Sequence, residues 1–401
     1  MGPHFDAIVV GARCAGAPTA MLLARAGHRV LLVDRATFPS DTISTHVIHA
    51  PGVAALRRWG LLDAVISTGC PPLATYRFDF GHFRLEGTPP PVDGLSAGYA
   101  PRRYLLDSIL VDAAVASGVQ LREEFSVHDV LVEDGAVVGV AGSGPDGRRV
   151  AERARVVVGA DGRNSRVARA VRAGQYLDKP KLQYGYYTYW RDLPVDGFDA
   201  YVRPDRGWAA IPTNDGLTLV VVGWPYADVR AYKRDVETNY LATLELAPEF
   251  AEQVHAATRV EPFRGGGVSN YLRKPYGPGW ALVGDAGYDR DPITAQGISD
   301  AFRDAEVCAR ALDDVLQGRR SFEDAMSDYQ MTRDATVLPV YEFTTQLATL
   351  APPPPEVASL LASAAGNPDA MDMFAGVVAA TVSPAEFFSP QNVGRLRSAV
   401  G

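Results

Sequence analysis

The chain has 401 residues but only three cysteines, Cys14, Cys70 and Cys308, far apart and in no Cys-x-x-Cys pair. That excludes a disulfide-framed scaffold and a cysteine-based zinc site. Its seven histidines fall into no His-Glu-x-x-His or similar spacing, so no metal is expected. No apolar run approaches the ~18 residues of a membrane helix. No polybasic run marks a membrane surface or nucleic acid, and the formal net charge of −8 reads as a solubility feature. Met1–Asp6 leads straight into an apolar stretch, so no charged-then-apolar leader is expected. These absences describe a soluble, cytoplasmic protein of a reducing compartment.

What is present is globular. Hydrophobic residues make up 47% and charged residues 21%, which separates the chain from disordered sequences. This length is more than one compact core accommodates, so two domains are expected.

The first thirty-five residues carry the clearest pattern. Phe5–Val10 is a short apolar run of the kind a buried parallel strand requires. Gly11–Gly16 is a loop, Ala15–Ala26 a helix of small residues stopped by Gly27, and Arg29–Val33 a second strand ending at Asp34. Strand, helix, strand in this order predicts an α/β fold with a doubly wound, Rossmann-like parallel sheet. The loop reads Gly11-Ala12-Arg13-Cys14-Ala15-Gly16, so the dinucleotide pattern G-x-G-x-x-G is kept at its first and last glycine and broken at Arg13. The helix start still offers free N–H groups and a positive dipole end to a phosphate. Asp34 stands 23 positions after Gly11, near the ~20 expected of an acid on a ribose hydroxyl.

Two later stretches repeat the strand-into-turn design. Arg155–Val158 runs into Gly159-Ala-Asp161-Gly162, with Ser165 placed to cap a helix. Trp280–Val283 delivers Gly284-Asp285 at its carboxyl end, where ligands sit in open α/β sheets. Pro292-Ile-Thr-Ala-Gln296-Gly297-Ile298 then opens a helix whose N-terminal amides favour negative charge.

The three stretches, in this order and at these distances, resemble the class A flavoprotein monooxygenases of the p-hydroxybenzoate hydroxylase fold. That superfamily also holds flavin-dependent halogenases and geranylgeranyl-reductase-like enzymes. The resemblance spans roughly residues 5–345 and implies an FAD-dependent oxidoreductase. It implies that Gly11, Ala12, Cys14, Ala15 and Gly16 hold the FAD pyrophosphate and that Asp34, with Arg35 beside it, holds the adenosine ribose. The family's Arg-x-x-Leu-x-x-x-Leu helix matches Arg103, Leu106 and Leu110, which sets Arg103 near the phosphate–ribityl chain. Val127 and Asp161 become FAD contacts, Asp285 a partner of the ribityl–pyrophosphate region, and Pro292, Ala295, Gln296, Gly297 and Ile298 the segment along the flavin ring. Reduced flavin carries negative charge at its N1–C2 carbonyl edge, which suits a helix N-terminus there.

Family members use NAD(P)H and O2 and attach one oxygen atom through a C4a-hydroperoxyflavin, or accept reduced flavin from a separate reductase. The expected activity is hydroxylation or epoxidation of an aromatic or unsaturated small molecule, in secondary metabolism such as antibiotic biosynthesis. The alternative is an FAD-dependent reductase of the geranylgeranyl-reductase type; a non-catalytic FAD-binding protein ranks lower. Halogenation is disfavoured. The halogenase Trp-x-Trp-x-Ile-Pro motif has its nearest match at Gly207–Pro212 with neither tryptophan in place, and no lysine occurs from Met1 to Val111.

The resemblance and the composition shifts divide the chain. Residues 1–69, 101–175 and 276–345 are assigned to the FAD-binding domain, 70–100 and 176–275 to an inserted β-rich substrate domain, and 346–401 to a C-terminal helical segment without a motif. Helices are expected over 51–66, 103–117, 299–316 and 320–350, the last kinked or broken at Pro339. His46 is the leading candidate for a catalytic proton donor or a substrate contact, because histidine titrates near neutrality, and His49 is a weaker one. Tyr184, Tyr186 and Trp208 are the expected lining of a substrate pocket. Tyr184 and Tyr186 share one strand face while Tyr187 and Tyr189 share the other, so only one pair can face the ligand.

Overall fold

The computed structural model describes residues 4–398. The apolar run at the start becomes the strand Phe5–Val10, buried at every position except Asp6. It lies between two parallel partners, Val30–Val33 and Arg149–Gly159. Cover on both faces is why these strands are continuously apolar instead of alternating. The sheet runs Tyr276–Gly277, Trp280–Leu282, Arg149–Gly159, Phe5–Val10, Val30–Val33, Gln120–Arg122. A hairpin of Ser126–Glu133 and Ala136–Ser143 extends it along the first half of Arg149–Gly159. Asp134 and Gly135 at its turn both take positive φ, 49° and 80°, as a two-residue hairpin loop of this type demands.

Helices Gly16–Arg25, Arg103–Ala116 and Gly297–Leu316 cover one face of this sheet. Their apolar sides, among them Ala17, Ala20, Leu106, Leu110 and Phe302, meet the sheet in the largest core cluster. The 51–66 stretch is two helices and not one, Ala50–Trp59 and Leu62–Ile66. Gly60 separates them in a left-handed conformation, φ 78°. Conversely, the helix Phe322–Leu347 continues through Pro339. Tertiary contacts hold the turns on both sides, with Val337 and Tyr341 buried against Leu272 and Tyr288, and the Tyr341 hydroxyl donates to the Leu177 carbonyl at 2.6 Å. They outweigh the one backbone hydrogen bond a proline removes.

A second sheet is mostly antiparallel and runs Thr258–Arg259, Gln183–Arg191, Leu217–Pro225, Arg206–Pro212, Phe198–Arg203, Tyr76–Asp79, Arg84–Gly87. One face carries helices Val236–Leu244 and Pro248–Ala256 over Trp190, Trp208 and Trp224. The other is covered in part by the C-terminal helices Pro355–Ala364 and Pro368–Val378, with Phe374 edge-on to Phe78 at 4.9 Å. A cleft of about 1950 Å³ starts at the carboxyl ends of the parallel strands and continues beneath this second sheet.

Candidate active site

The phosphate loop is shaped by close backbone approach. Gly11 has φ 100°, and a Cβ there would meet the Ala160 carbonyl oxygen at 2.4 Å. A Cβ on Gly16 would meet the Gly11 carbonyl oxygen at 1.7 Å. Only glycine fits at either position, and the first turn of the helix Gly16–Arg25 therefore starts directly over the strand end. Asp34 accepts the Ala12 N–H at 2.7 Å on one oxygen and the Ala36 N–H at 2.8 Å on the other. It lines the cleft beside Arg35, so its carboxylate both fixes the loop and faces the ligand space.

Arg103 is nearly buried at the start of its helix and directs its guanidinium onto Asp107, with Nε to Oδ1 at 3.1 Å and a second nitrogen at 3.0 Å. Asp107 is fully buried and also takes Arg13, at 2.5 Å. Asp107 belongs to none of the motifs legible in the sequence. The available signal was a charged residue in the buried stripe of Arg103, Leu106 and Leu110, four positions after an arginine. Cys14 adds a weak S–H contact to Asp107 at 3.4 Å, and burial pushes its thiol pKa up.

Asp161 lies at the cleft wall with its carboxylate turned to its own helix. Oδ1 accepts the Ser165 hydroxyl at 2.5 Å, and Oδ2 accepts the Arg166 N–H at 2.6 Å. Ser165 in turn caps the helix Arg166–Ala170 through the Ala168 N–H, as its position predicted. Val127 borders the same end of the cleft. Asp285 differs: its carboxylate has no hydrogen-bond donor among the described residues and stands exposed to the cleft. Enclosure in the fold raises its pKa, while Arg163 and Arg103 pull it down. An unsatisfied acceptor in this position fits the hydroxyls of a ribityl chain.

Pro292–Ile298, the segment the resemblance sets along the ring, edges the cleft. Ala295 holds a left-handed φ of 52°, a conformation that costs an L-residue about 1–2 kcal/mol. It brings the chain into the helix Gly297–Leu316. A Cβ at Gly297 would meet nothing within 4 Å, so the helix N-terminus opens onto the cleft. Gln296 is spent on structure, its amide donating to the Val378 carbonyl at 2.8 Å and its oxygen accepting from Arg290. Asp291 is buried just before the segment. It accepts from the Gln183 amide and from the Ile293 N–H at 3.1 Å, while its Oδ2 has no partner among the described residues. Burial lifts its pKa to about 7. These residues fit FAD: two enforced glycines, an acid at the second strand end, arginines by the loop and an open helix start on the ring side.

The substrate side departs from expectation. Gln183, Gly185 and Tyr187 line the cleft, whereas Tyr184 and Tyr186 stand on the opposite face of their strand. Tyr186 packs with the outer cluster near Trp224 instead. The alternation of the strand was legible, but which face meets the cleft depends on which layer lies beneath it. Trp208 borders the cleft with its ring stacked on Tyr201 at 4.8 Å within the outer cluster. His46 is fully buried behind the wall, its Nε2 joined to the Tyr189 hydroxyl, and is absent from the lining. Burial and the nearby arginines depress its pKa well below the usual histidine value, and its full burial sets it back from the cleft. His49 is a satisfied core histidine between Tyr76 and the Thr294 carbonyl, at 2.8 and 2.9 Å. The C-terminal segment supplies walls the sequence did not announce, including Leu350, Val357, Leu361, Phe374 and Val378.

Comparisons with known proteins complete the picture. Residues 4–344 match the family described as FAD binding domain. The chain is 28% identical over 335 residues to 6-methylpretetramide 4-monooxygenase of Streptomyces rimosus, covering 79% of this chain and 77% of that protein. It is 28% identical over 347 residues to digeranylgeranylglycerophospholipid reductase 2 of Methanopyrus kandleri, covering 81% and 80%. Its fold matches that of the myxobacterial chondrochloren halogenase CndH with a TM-score of 0.80 at 24% identity, over 98% of this chain and 96% of that one.

Proposed function

The chain belongs to the FAD binding domain family and is an FAD-dependent oxidoreductase, and from that premise we propose that it is an NAD(P)H-dependent monooxygenase. Its substrate would be an aromatic or unsaturated small molecule of secondary metabolism. What supports this reading is the join between the two halves of the cleft. The Pro292–Ile298 segment meets a chamber walled by Phe78, Phe198, Ile211, Phe374 and Val378, an apolar enclosure beside the ring position. Oxygen transfer needs such a dry chamber, because water would discharge the activated oxygen unproductively.

Bound FAD would supply the redox chemistry between NAD(P)H and O2. The chain's own residues do the rest. Asp34 would take the ribose hydroxyls, and the loop Gly11–Gly16 with Arg103 would take the pyrophosphate. Asp285 would accept from ribityl hydroxyls. The start of the helix Gly297–Leu316 would stabilise negative charge on the ring edge. Tyr187 and the apolar walls would orient the substrate and exclude water.

The test is labelled oxygen. The purified yellow protein should oxidise NADPH faster with its substrate present, and one atom from labelled O2 should appear in the product. Consumption of NADPH and O2 with all the oxygen recovered as peroxide or water would sink the proposal. The likeness to the Methanopyrus reductase favours a second reading, reduction of an alkene. That activity would turn over without oxygen, whereas the monooxygenase would not.

A further inference from the structure

The broken position of the phosphate loop carries an inference about how this chain holds its cofactor. A glycine in the middle of the turn normally lets the backbone approach the pyrophosphate closely. Arg13 forfeits that approach. Its side chain lies in the cleft wall, folded over the Phe38 ring at 5.4 Å, and donates to the Ser40 carbonyl at 3.2 Å and the Ser40 hydroxyl at 2.9 Å. It ends on Asp107, the same fully buried carboxylate that orients Arg103.

One buried carboxylate thus serves two guanidinium groups, and the cluster keeps a positive charge. Asp107 is wholly enclosed, while the side chains of Arg13 and Arg103 keep 26% and 11% of their surface, and both border the cleft at the phosphate loop. Excess charge in a poorly solvated site is costly until an opposite charge completes it. Two guanidinium groups against Asp107 leave one positive charge at the loop, a partner for one of the two negative charges of a pyrophosphate.

We propose that Arg13 replaces by charge what the missing glycine would supply by close approach. Asp107 is then the positioning residue that holds Arg13 and Arg103 together as a phosphate clamp. Through Ser40 the clamp also ties the loop to the irregular stretch around Thr42–Thr45, which lines the cleft. The inference rests on FAD binding and is independent of the reaction.

The experiment strips flavin from the purified holoenzyme and retitrates wild type, Arg13→Gly and Asp107→Asn with FAD at low and high ionic strength. Arg13→Gly restores the dinucleotide pattern, yet it should weaken FAD by about tenfold, the size of a lost charge-assisted interaction. That loss should shrink as salt rises from about 0.05 M to about 0.5 M, because screening erases a charge effect. Asp107→Asn adds net positive charge; if charge alone mattered FAD would bind tighter, whereas a positioning role makes it bind more weakly. Arg13→Gly binding FAD as well as wild type, or losing affinity equally at all salt concentrations, overturns the proposal. So does tighter binding by Asp107→Asn.

Discussion

Asp291 shows how much a single side chain's surroundings decide. In sequence it is only the acid before Pro292; in the fold it is 1% exposed, with one oxygen unpartnered among the described residues. Its pKa rises to about 7, against roughly 4 in an unfolded chain. Between those values the folded state keeps a proton that the unfolded state has lost, so stability falls as pH rises through the window and levels off above it. The slope should be on the order of 1 kcal/mol per pH unit. Urea unfolding at pH 5 and pH 8 checks this: wild type should lose clearly more stability over the interval than Asp291→Asn, and equal losses would refute it. His46 makes the converse point. Its residue type invited a catalytic role, but full burial against Tyr189 removes it from the ligand. Neither outcome is encoded in local sequence, because burial is set by residues more than a hundred positions away.

At the scale of elements, the segment after residue 346 changes most in meaning. It has no motif, yet its helices put Leu360, Leu361, Phe374 and Val378 onto the second sheet and close one side of the cleft. Phe374→Ala should cost about 3–5 kcal/mol in unfolding free energy, as large-to-small changes in a packed aromatic cluster do. Flavin content should stay at the wild-type level, since Phe374 packs against Phe78 of the second sheet. Loss of FAD in a still-folded Phe374→Ala protein would show that the two layers are not separable. Secondary structure was largely legible here, because amphipathic and apolar periods are local. The exceptions, the stop at Gly60 and the passage through Pro339, turn on conformation and packing that no period records.

For the whole molecule, the cofactor should act as a structural member, because FAD would touch strand ends, loop and helix starts drawn from residues 11 to 298. Free FAD at about 100 times its Kd should add about 2.7 kcal/mol to stability, a rise of several degrees in Tm. Asp34→Ala should bind FAD about tenfold more weakly and lose much of that rise. Scanning calorimetry of stripped and reloaded proteins measures both. An unchanged FAD-dependent shift in the variant would remove Asp34 from the site.

By itself the sequence determined the parallel strand–helix–strand unit, the glycines at 11 and 16, and the acids at 34 and 285. Each of these follows from short-range rules: buried strands must be apolar, tight turns need a residue without a Cβ, and ligands gather at strand carboxyl ends. Only the tertiary structure decided that Tyr187 and not Tyr184 or Tyr186 faces the cleft, that Asp161 serves its own helix, and that Arg13 shares Asp107 with Arg103. Those outcomes depend on which layer covers which face and on where unlike charges meet. Contacts across 94 positions of chain, such as Arg13 to Asp107, leave no periodic trace in the sequence that forms them.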